Sequence, residues 1–128
     1  MKFALIVLSP PLSAASYSAY QFASAVLRNG HELQSVFFYQ DGAYNGNAFA
    51  TPPQDELNLA KLWPQLKQNS AVELIVCVAA GIRRGVFNSE EAKRHGLSFG
   101  NLGDEFTLGG LGLLCDTATQ VDRLLTFG

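Results

Sequence analysis

Cys77 is the side chain of this sequence with the clearest chemical potential. It ends an apolar run with the composition of a buried strand, and Arg83 and Arg84 follow it within the segment LIVCVAAGIRRGV. A helical turn is predicted directly after the strand, and the free N–H groups of a helix N-terminus carry partial positive charge. That charge and the two guanidinium groups favour a thiolate over a thiol. The segment therefore predicts a nucleophilic cysteine, although free cysteines are also common in protein cores.

A second chemistry is open to the same segment. Cys77 and Arg83 have the Cys-x5-Arg spacing with which thiol phosphatases surround a phosphate dianion. Against this alternative, the intervening VAAGI is apolar with a single glycine. Arg84 also stands where those enzymes usually have a Ser or Thr that helps the thiolate to leave. The same anion cradle would suit a bound persulfide, so phosphatase activity remains the less favoured alternative.

The other reactive residue types form no catalytic or metal-binding pattern. Cys115 lies in GGLGLLCDTATQ at helical spacing with leucines, so we expect it to pack in the core. His31 and His95 have no Cys, Asp or Ser at a spacing that suggests a triad or a metal site. Two cysteines far apart suggest neither a disulfide framework nor a zinc site. The sequence therefore predicts no metal and no cofactor.

Composition limits the class of protein and its partners. Of the 128 residues, 48% are hydrophobic and only 16% are charged, below the roughly 25% that is typical of soluble domains. We therefore expect part of the apolar surface to lie against a partner chain. A net charge of −2 argues against direct nucleic-acid binding, which needs clustered Lys and Arg. The apolar start, Phe3–Leu8, is too short for a secretory signal or a membrane span, and reduced thiols suggest the cytoplasm.

Strand and helix patterns alternate along the chain. Phe3–Leu8 has the continuous apolar pattern of a strand covered on both faces, and Asn29-Gly30 predicts the end of the helix that follows it. This alternation predicts an α/β fold, in which residues 1–128 form a single domain with a doubly wound, mostly parallel sheet flanked by helices. The predicted strands are 3–8, 32–39, 72–78 and 121–127. The predicted helices include one that opens at Gln54 or Asp55 and bends at Pro64, and one over FTLGGLGLLCDTATQ.

The carboxyl ends of these strands are the expected place for a reactive site. In open parallel sheets, ligands and reactive groups gather beyond that edge. It would carry residues 9–16, 39–47 and 77–84. Tyr39, Tyr44 and Asn45 lie on the loop after the second strand and are predicted to line a docking surface. Turn formation and packing are the alternative role for these three residues.

Almost the whole chain resembles a known family. LIVCVAAGIRRGV, GHELQSVFFYQDGAYNGN, FTLGGLGLL and the terminal VDRLLTFG are together similar to the sulfur-carrier proteins of the DsrE/DsrEFH family. The resemblance implies a sulfurtransferase that takes up sulfane sulfur as a persulfide on the cysteine corresponding to Cys77. A persulfide relay needs a thiolate and a partner thiol, and neither metal nor cofactor. The residue pattern is consistent with that requirement.

The resemblance also implies partners. Carriers of this kind act in 2-thiolation of the tRNA wobble uridine, in a heterohexamer with TusB-like and TusC-like subunits. They receive sulfur from a TusA-like donor and deliver it to a TusE-like acceptor, without holding RNA themselves. Two other roles stay open at this point. One is DsrE-type sulfur trafficking in sulfur oxidation, and the other is a non-catalytic scaffold of a hetero-oligomer.

Overall fold

The chain forms five strands and five α-helices, which a computed structural model describes for residues 1–128. Two of the helices are short, with six residues each, and two 3-10 segments are also present. In chain order the elements are β1 (Lys2–Val7), α1 (Ala14–Arg28), β2 (Glu32–Phe38), the first 3-10 segment (Gln40–Gly46), α2 (Leu59–Gln65), the second 3-10 segment (Leu66–Gln68), β3 (Glu73–Cys77), α3 (Val78–Arg83), α4 (Ser89–Arg94), β4 (Phe106–Gly109), α5 (Leu111–Gln120) and β5 (Arg123–Phe127).

All five strands are parallel, in the order β4-β3-β2-β1-β5. From β1 to β4 the chain moves steadily in one direction across the sheet, so right-handed crossovers put α1 to α4 on one face. The return from β4 to β5, beside β1, puts α5 alone on the opposite face. The predicted α/β class, with a parallel sheet flanked by helices, is confirmed.

Two predicted helices are corrected by the structure. Residues 106–120 form a strand and a helix instead of one helix, because Phe106–Gly109 pairs with β3 and the Gly109-Gly110 pair disfavours helix. The helix predicted from Gln54 or Asp55 begins only at Leu59, after the Pro52-Pro53 pair. Pro64 lies inside that helix, which changes to 3-10 geometry at Leu66.

An aromatic cluster fills the core on the α1 and α2 face. Trp63 of α2 packs edge-on against Phe38 at 5.1 Å and against Tyr20 at 5.4 Å between ring centroids. Phe106 of β4 contacts Phe38 from the other side at 5.6 Å. Such pairs contribute about 0.5–1.5 kcal/mol each beyond the area they bury. This cluster holds α1 and α2 against β2 and the edge strand β4.

Large apolar side chains are also exposed. Leu12, Phe49 and Phe99 are each more than half exposed, and Leu111, Leu113 and Leu124 are exposed on or beside α5. This fits the expectation, drawn from the low charge content, that some surface of the chain meets a partner. None of the helices combines the length and the apolarity needed to cross a lipid bilayer.

Candidate functional site

Cys77 lies at the point where the connections that follow two neighbouring strands go to opposite faces of the sheet. It is the last residue of β3 and the N-cap of α3. β3 leads to α3 on one face of the sheet, and the neighbouring β4 leads to α5 on the other. In open parallel sheets, ligands and reactive groups gather beyond the carboxyl edge at such a topological switch point. The fold thus puts this thiol at the position where α/β proteins most often place their chemistry.

The strand register brings two further residues beside Cys77. Cys77 is the Cα partner of Gly109 on β4. On the other side, Phe38 of β2 is the partner of Val76, so the next residues along the two chains, Tyr39 and Cys77, are also neighbours. Tyr39 continues the extended conformation of β2. Tyr39, Cys77 and Gly109 therefore lie side by side along the carboxyl edge.

The Cys77 side chain faces α5. Side chains alternate along a strand, so Cys77 points to the same face as Ile75. A Cβ on Gly109 would lie 2.7 Å from Ile75 Cγ2 and 3.0 Å from Leu113 Cδ2 of α5, and this shows that α5 packs on that face. Glycine at position 109 is what permits the close approach. The role of Gly109 depends on its position in strand β4, which the sequence analysis did not predict. In the sequence, only the FTLGG pattern indicated this role.

The structure decides the exposure of Cys77, which the sequence left open, and reverses the exposure predicted for Cys115. Cys77 is 2% exposed and belongs to the hydrophobic core cluster of the single chain. Cys115, predicted to pack in the core, is exposed. The reason is that α5 is the only helix on its face and packs on the sheet mainly through Leu114 and Thr117. Its remaining side chains, including Cys115, therefore point to the outside.

The two arginines do not contact the thiol. Arg84 Nε donates to Asp41 Oδ1 at 2.9 Å, and its Nη1 donates to the Ala80 carbonyl at 3.1 Å. Arg84 therefore ties the end of α3 to the first 3-10 segment. Arg83 is exposed and forms no ion pair, and the helical rise puts it about 9 Å along α3 from Cys77. The prediction that at least one of Arg83 and Arg84 reaches back to assist the Cys77 thiolate is corrected accordingly.

The loop after β2 has both exposed and buried parts. Tyr44 is 38% exposed and is available to a partner, whereas Tyr39 is half-buried. Asn45 is fully buried, so its predicted place on a docking surface is wrong. Its Nδ2 donates to the carbonyls of Ser9 and Gly42, and its Oδ1 accepts from Trp63 Nε1 at 3.1 Å. Asn45 thus holds the loop onto the β1–α1 turn and α2, which is the packing role that the sequence left open.

Replacing Asn45 tests this role. In Asn45→Ala the buried Trp63 Nε1–H loses its acceptor, so we expect the free energy of unfolding to fall by about 2–3 kcal/mol. Urea titration of the full chain measures the change. Asn69→Ala, at an exposed position, is the matched control and should stay within about 0.5 kcal/mol of the parent. An equal, small effect of both substitutions would contradict the buried hydrogen-bond network.

The geometry does not favour the phosphatase alternative. A Cys-x5-Arg enzyme needs a loop whose successive N–H groups converge on one phosphate. Residues 78–83 instead form α3, in which the N–H groups run parallel to the helix axis. Arg83 lies at the far end of that helix. No group of three or more His, Cys, Asp or Glu side chains is arranged to hold a metal ion.

Comparison with known proteins agrees with the fold and with the family resemblance. The family model described as "DsrE/DsrF-like family" matches residues 1–127, so the chain belongs to the DsrE/DsrF-like family. The resemblance inferred from the sequence is thereby confirmed. Sulfurtransferase TusD of Enterobacter sp. (strain 638) is 51% identical over 128 residues, covering 99% of this chain and 100% of the relative.

Two further proteins extend the comparison. A Sulfurtransferase TusD homolog of Pseudomonas aeruginosa is 44% identical, covering 100% of this chain and 98% of the relative. The crystal structure of the ychN protein from E. coli superimposes with a TM-score of 0.75 at 21% identity, covering 99% of this chain and 100% of that one. At that identity the ychN structure supports the fold alone.

Proposed function

We propose that this protein is a sulfurtransferase that accepts a sulfane sulfur on Cys77 and passes it to a partner protein. The observation that carries the proposal is the position of Cys77 at the switch point of a DsrE/DsrF-like sheet. Full-length similarity to two proteins named Sulfurtransferase TusD or its homolog supports the activity. The pathway that this similarity favours is 2-thiolation of the tRNA wobble uridine.

The chemistry is an exchange at sulfur without net oxidation. The Cys77 thiolate attacks the outer sulfur of the donor's persulfide, and a bond forms between Sγ and that sulfur. The S–S bond of the donor breaks, and its electron pair leaves with the donor's thiolate. In the second half of the transfer, an acceptor thiolate attacks the outer sulfur of the Cys77 persulfide. That sulfur stays with the acceptor, and Cys77 Sγ leaves as a thiolate. Each half exchanges one S–S bond for another, so no redox cofactor is needed.

In the single chain, the Cys77 thiol is not accessible to a sulfur donor without movement of the residues around it. Cys77 is 2% exposed, so uptake of sulfur requires movement of its neighbours on the α5 face. Those neighbours are Tyr39 and the first turn of α5, which Gly109, Gly110 and Gly112 make locally adaptable. Local opening at this edge would admit a small persulfide slowly, and contact with a docked donor or acceptor would hold the edge open. Burial between transfers would also protect a persulfide from reductants.

The proposed partners are other proteins of a sulfur relay. Exposed leucines on the α5 face, at positions 111, 113 and 124, suit contacts with TusB-like and TusC-like subunits in a heterohexamer. A TusA-like donor and a TusE-like acceptor would approach the carboxyl edge, where Tyr44 and the unpaired Arg83 are available for docking. We infer no direct contact with RNA, because the net charge is −2. We assign the protein to the cytoplasm, where its free thiols would stay reduced.

Sulfur loading of the full chain tests this function. We expect glutathione persulfide to add one sulfur atom to Cys77, located by mass spectrometry of peptides. Because Cys115 is exposed to small persulfides, the assay uses a Cys115→Ser background to isolate uptake at Cys77. Modification that occurs in the parent only at Cys115, and is absent from this background, would contradict the proposal. Co-purification with small homologous subunits would favour tRNA thiolation, and with sulfite-reductase components it would favour sulfur oxidation.

A non-catalytic role is the second candidate, and one observation favours it. A cysteine that is 2% exposed in a core cluster is also what a structural subunit would contain. In that case the chain would contribute only its surface to a hetero-oligomer. Substitution of Cys77 separates the two functions.

A further inference from the structure

We propose that Tyr39 is a persulfide-binding residue of the sulfur carrier, whose phenolic hydroxyl donates a hydrogen bond to the outer sulfur of the Cys77 persulfide. This inference rests on the proposed function, since it requires Cys77 to carry sulfur. It gives Tyr39 a part in the chemistry in place of the docking role that the sequence suggested.

The strand register carries the first step. Phe38 and Val76 are Cα partners, and Tyr39 and Cys77 follow them in extended conformation, so the two residues occupy adjacent strands at about 4.8 Å spacing. Phe38 and Val76 face the α1 and α2 side, where Phe38 contacts Trp63. By alternation Tyr39 and Cys77 both face the opposite side, toward α5.

Contacts at the neighbouring strand give independent support for this face. Val7 is the partner of Phe127 on one side and of Phe38 on the other. Phe127 contacts Phe22 of α1, which puts that row of side chains on the α1 face. The next row, which includes Leu8 and Tyr39, then faces α5. Tyr39 is thus the only polar side chain next to Cys77 in its row, because Gly109 on the other side has none.

The Tyr39 hydroxyl is free to serve as a donor. The side-chain hydrogen bonds of the adjoining loop and of α3 are made by Asn45, Asp41 and Arg84, and the Tyr39 hydroxyl takes part in none of them. Tyr39 is half-buried, and its oxygen is not among the solvent-excluded atoms without a partner. The hydroxyl therefore reaches the solvent and has no hydrogen-bond partner within the chain.

The tyrosine side chain is long enough for its hydroxyl to lie closer to the level of the outer sulfur of a persulfide than to that of Cys77 Sγ. A persulfide puts its second sulfur one S–S bond, about 2 Å, beyond Sγ and farther from the strand. The phenolic oxygen is also the far end of its side chain, and in the unloaded chain it makes no hydrogen bond with Cys77. Loading would bring the outer sulfur toward the level of the hydroxyl. A donor at this point stabilises the negative charge of the persulfide while no acceptor is present.

The consequence is retention of the sulfur. A hydrogen bond to a charged group contributes more than one between neutral groups, and its loss corresponds to about a tenfold change in an equilibrium or a rate. An anionic outer sulfur that is stabilised by Tyr39 is a poorer electrophile for stray thiols. We therefore expect Tyr39 to slow the loss of sulfur to small thiols, and to be displaced when the protein acceptor docks.

Tyr39→Phe, in the Cys115→Ser background, tests this inference because it removes only the hydroxyl. After loading with glutathione persulfide, we expect sulfur to be lost to glutathione about tenfold faster than from the parent. The pH dependence of the loss should move to higher pH, since the persulfide anion is no longer stabilised. A merely structural role of Tyr39 would not shift this pH profile.

Two controls make the outcomes distinct. Tyr17→Phe is the same chemical change at an exposed position of α1 and should leave the rate of loss unchanged. Thermal unfolding of Tyr39→Phe checks that the fold is retained, and Tyr39→Leu serves if it is not. Equal rates and pH profiles in the parent and in Tyr39→Phe would overturn this inference alone. Failure of the Cys115→Ser parent to load sulfur on Cys77 would overturn the proposed function as well.

Discussion

Substitution of Cys77 by Ser should abolish sulfur uptake by the protein, measured in the Cys115→Ser background, and 2-thiolation of tRNA in a cell that depends on the protein. A serine hydroxyl is un-ionised at neutral pH. No histidine or carboxylate forms a hydrogen bond with the side chain at position 77, so none is in place to activate a serine there. It also cannot store a sulfane sulfur. The expected loss is therefore complete rather than partial. Loading assays with the variant and analysis of thiolated nucleosides in cellular tRNA measure the two effects.

The burial of Cys77 determines the controls. A serine in the core leaves a buried hydroxyl, which costs about 1–3 kcal/mol when it has no partner, so the fold of the variant must be checked by its unfolding transition. Cys77→Ala avoids the buried hydroxyl and should show the same loss of function. Cys115→Ser should keep both activities. Normal tRNA thiolation in cells carrying folded Cys77→Ser would favour the scaffold role.

Gly42→Ala should destabilise the chain by about 3 kcal/mol or more, the upper part of the range for overpacking. A Cβ at position 42 would lie 1.9 Å from the carbonyl oxygen of Val7. That atom belongs to the backbone of a central strand, so no side-chain rotation relieves the clash. Gly42 N–H also donates to the carbonyls of Leu8 and Tyr39, so the whole 3-10 segment would have to move. Urea titration of the full chain measures the loss, and an unfolded variant counts as support.

Gly112→Ala is the matched control for this substitution. A Cβ there meets no atom within 4 Å, and the residue lies in the first turn of α5. Alanine has the higher helix propensity, so we expect a gain of about 0.5–1 kcal/mol. The same chemical change should thus have opposite signs at the two positions. A loss of less than about 1 kcal/mol for Gly42→Ala would show that the 3-10 segment is not tightly packed against β1.

The central strands could be predicted from the sequence, and the edge strand could not. β1, β2 and β3 are covered on both faces, so continuous apolar runs predict them to within about a residue at most ends. β4 is only four residues long and adjoins a glycine pair, so locally it reads as part of the helix that follows. Its pairing with β3, more than thirty residues earlier in the chain, decides its conformation. Tertiary pairing of this kind leaves no local pattern.

The candidate site shows the same division. The type of Cys77 and its place at the end of a strand follow from a local pattern. The partner of Arg84 does not follow from any local pattern. It is Asp41, which is 43 residues away in the chain and comes next to Arg84 only in the folded protein. Asn45 has the composition of a turn residue, and only the arrival of Trp63 from α2 makes it a buried hydrogen-bond centre.

The sequence by itself determined the class of fold and the family, and it singled out Cys77 as the candidate for the reactive sulfur, because strand periodicity and residue type are local properties of the chain. The tertiary structure alone decided that Cys77 is covered, that Cys115 is exposed, and that Tyr39 and Gly109 are the neighbours of the thiol. Those facts depend on strand register and on the side of the sheet on which α5 packs. Both arise from contacts between residues that are distant in sequence, and no short stretch of the chain encodes them.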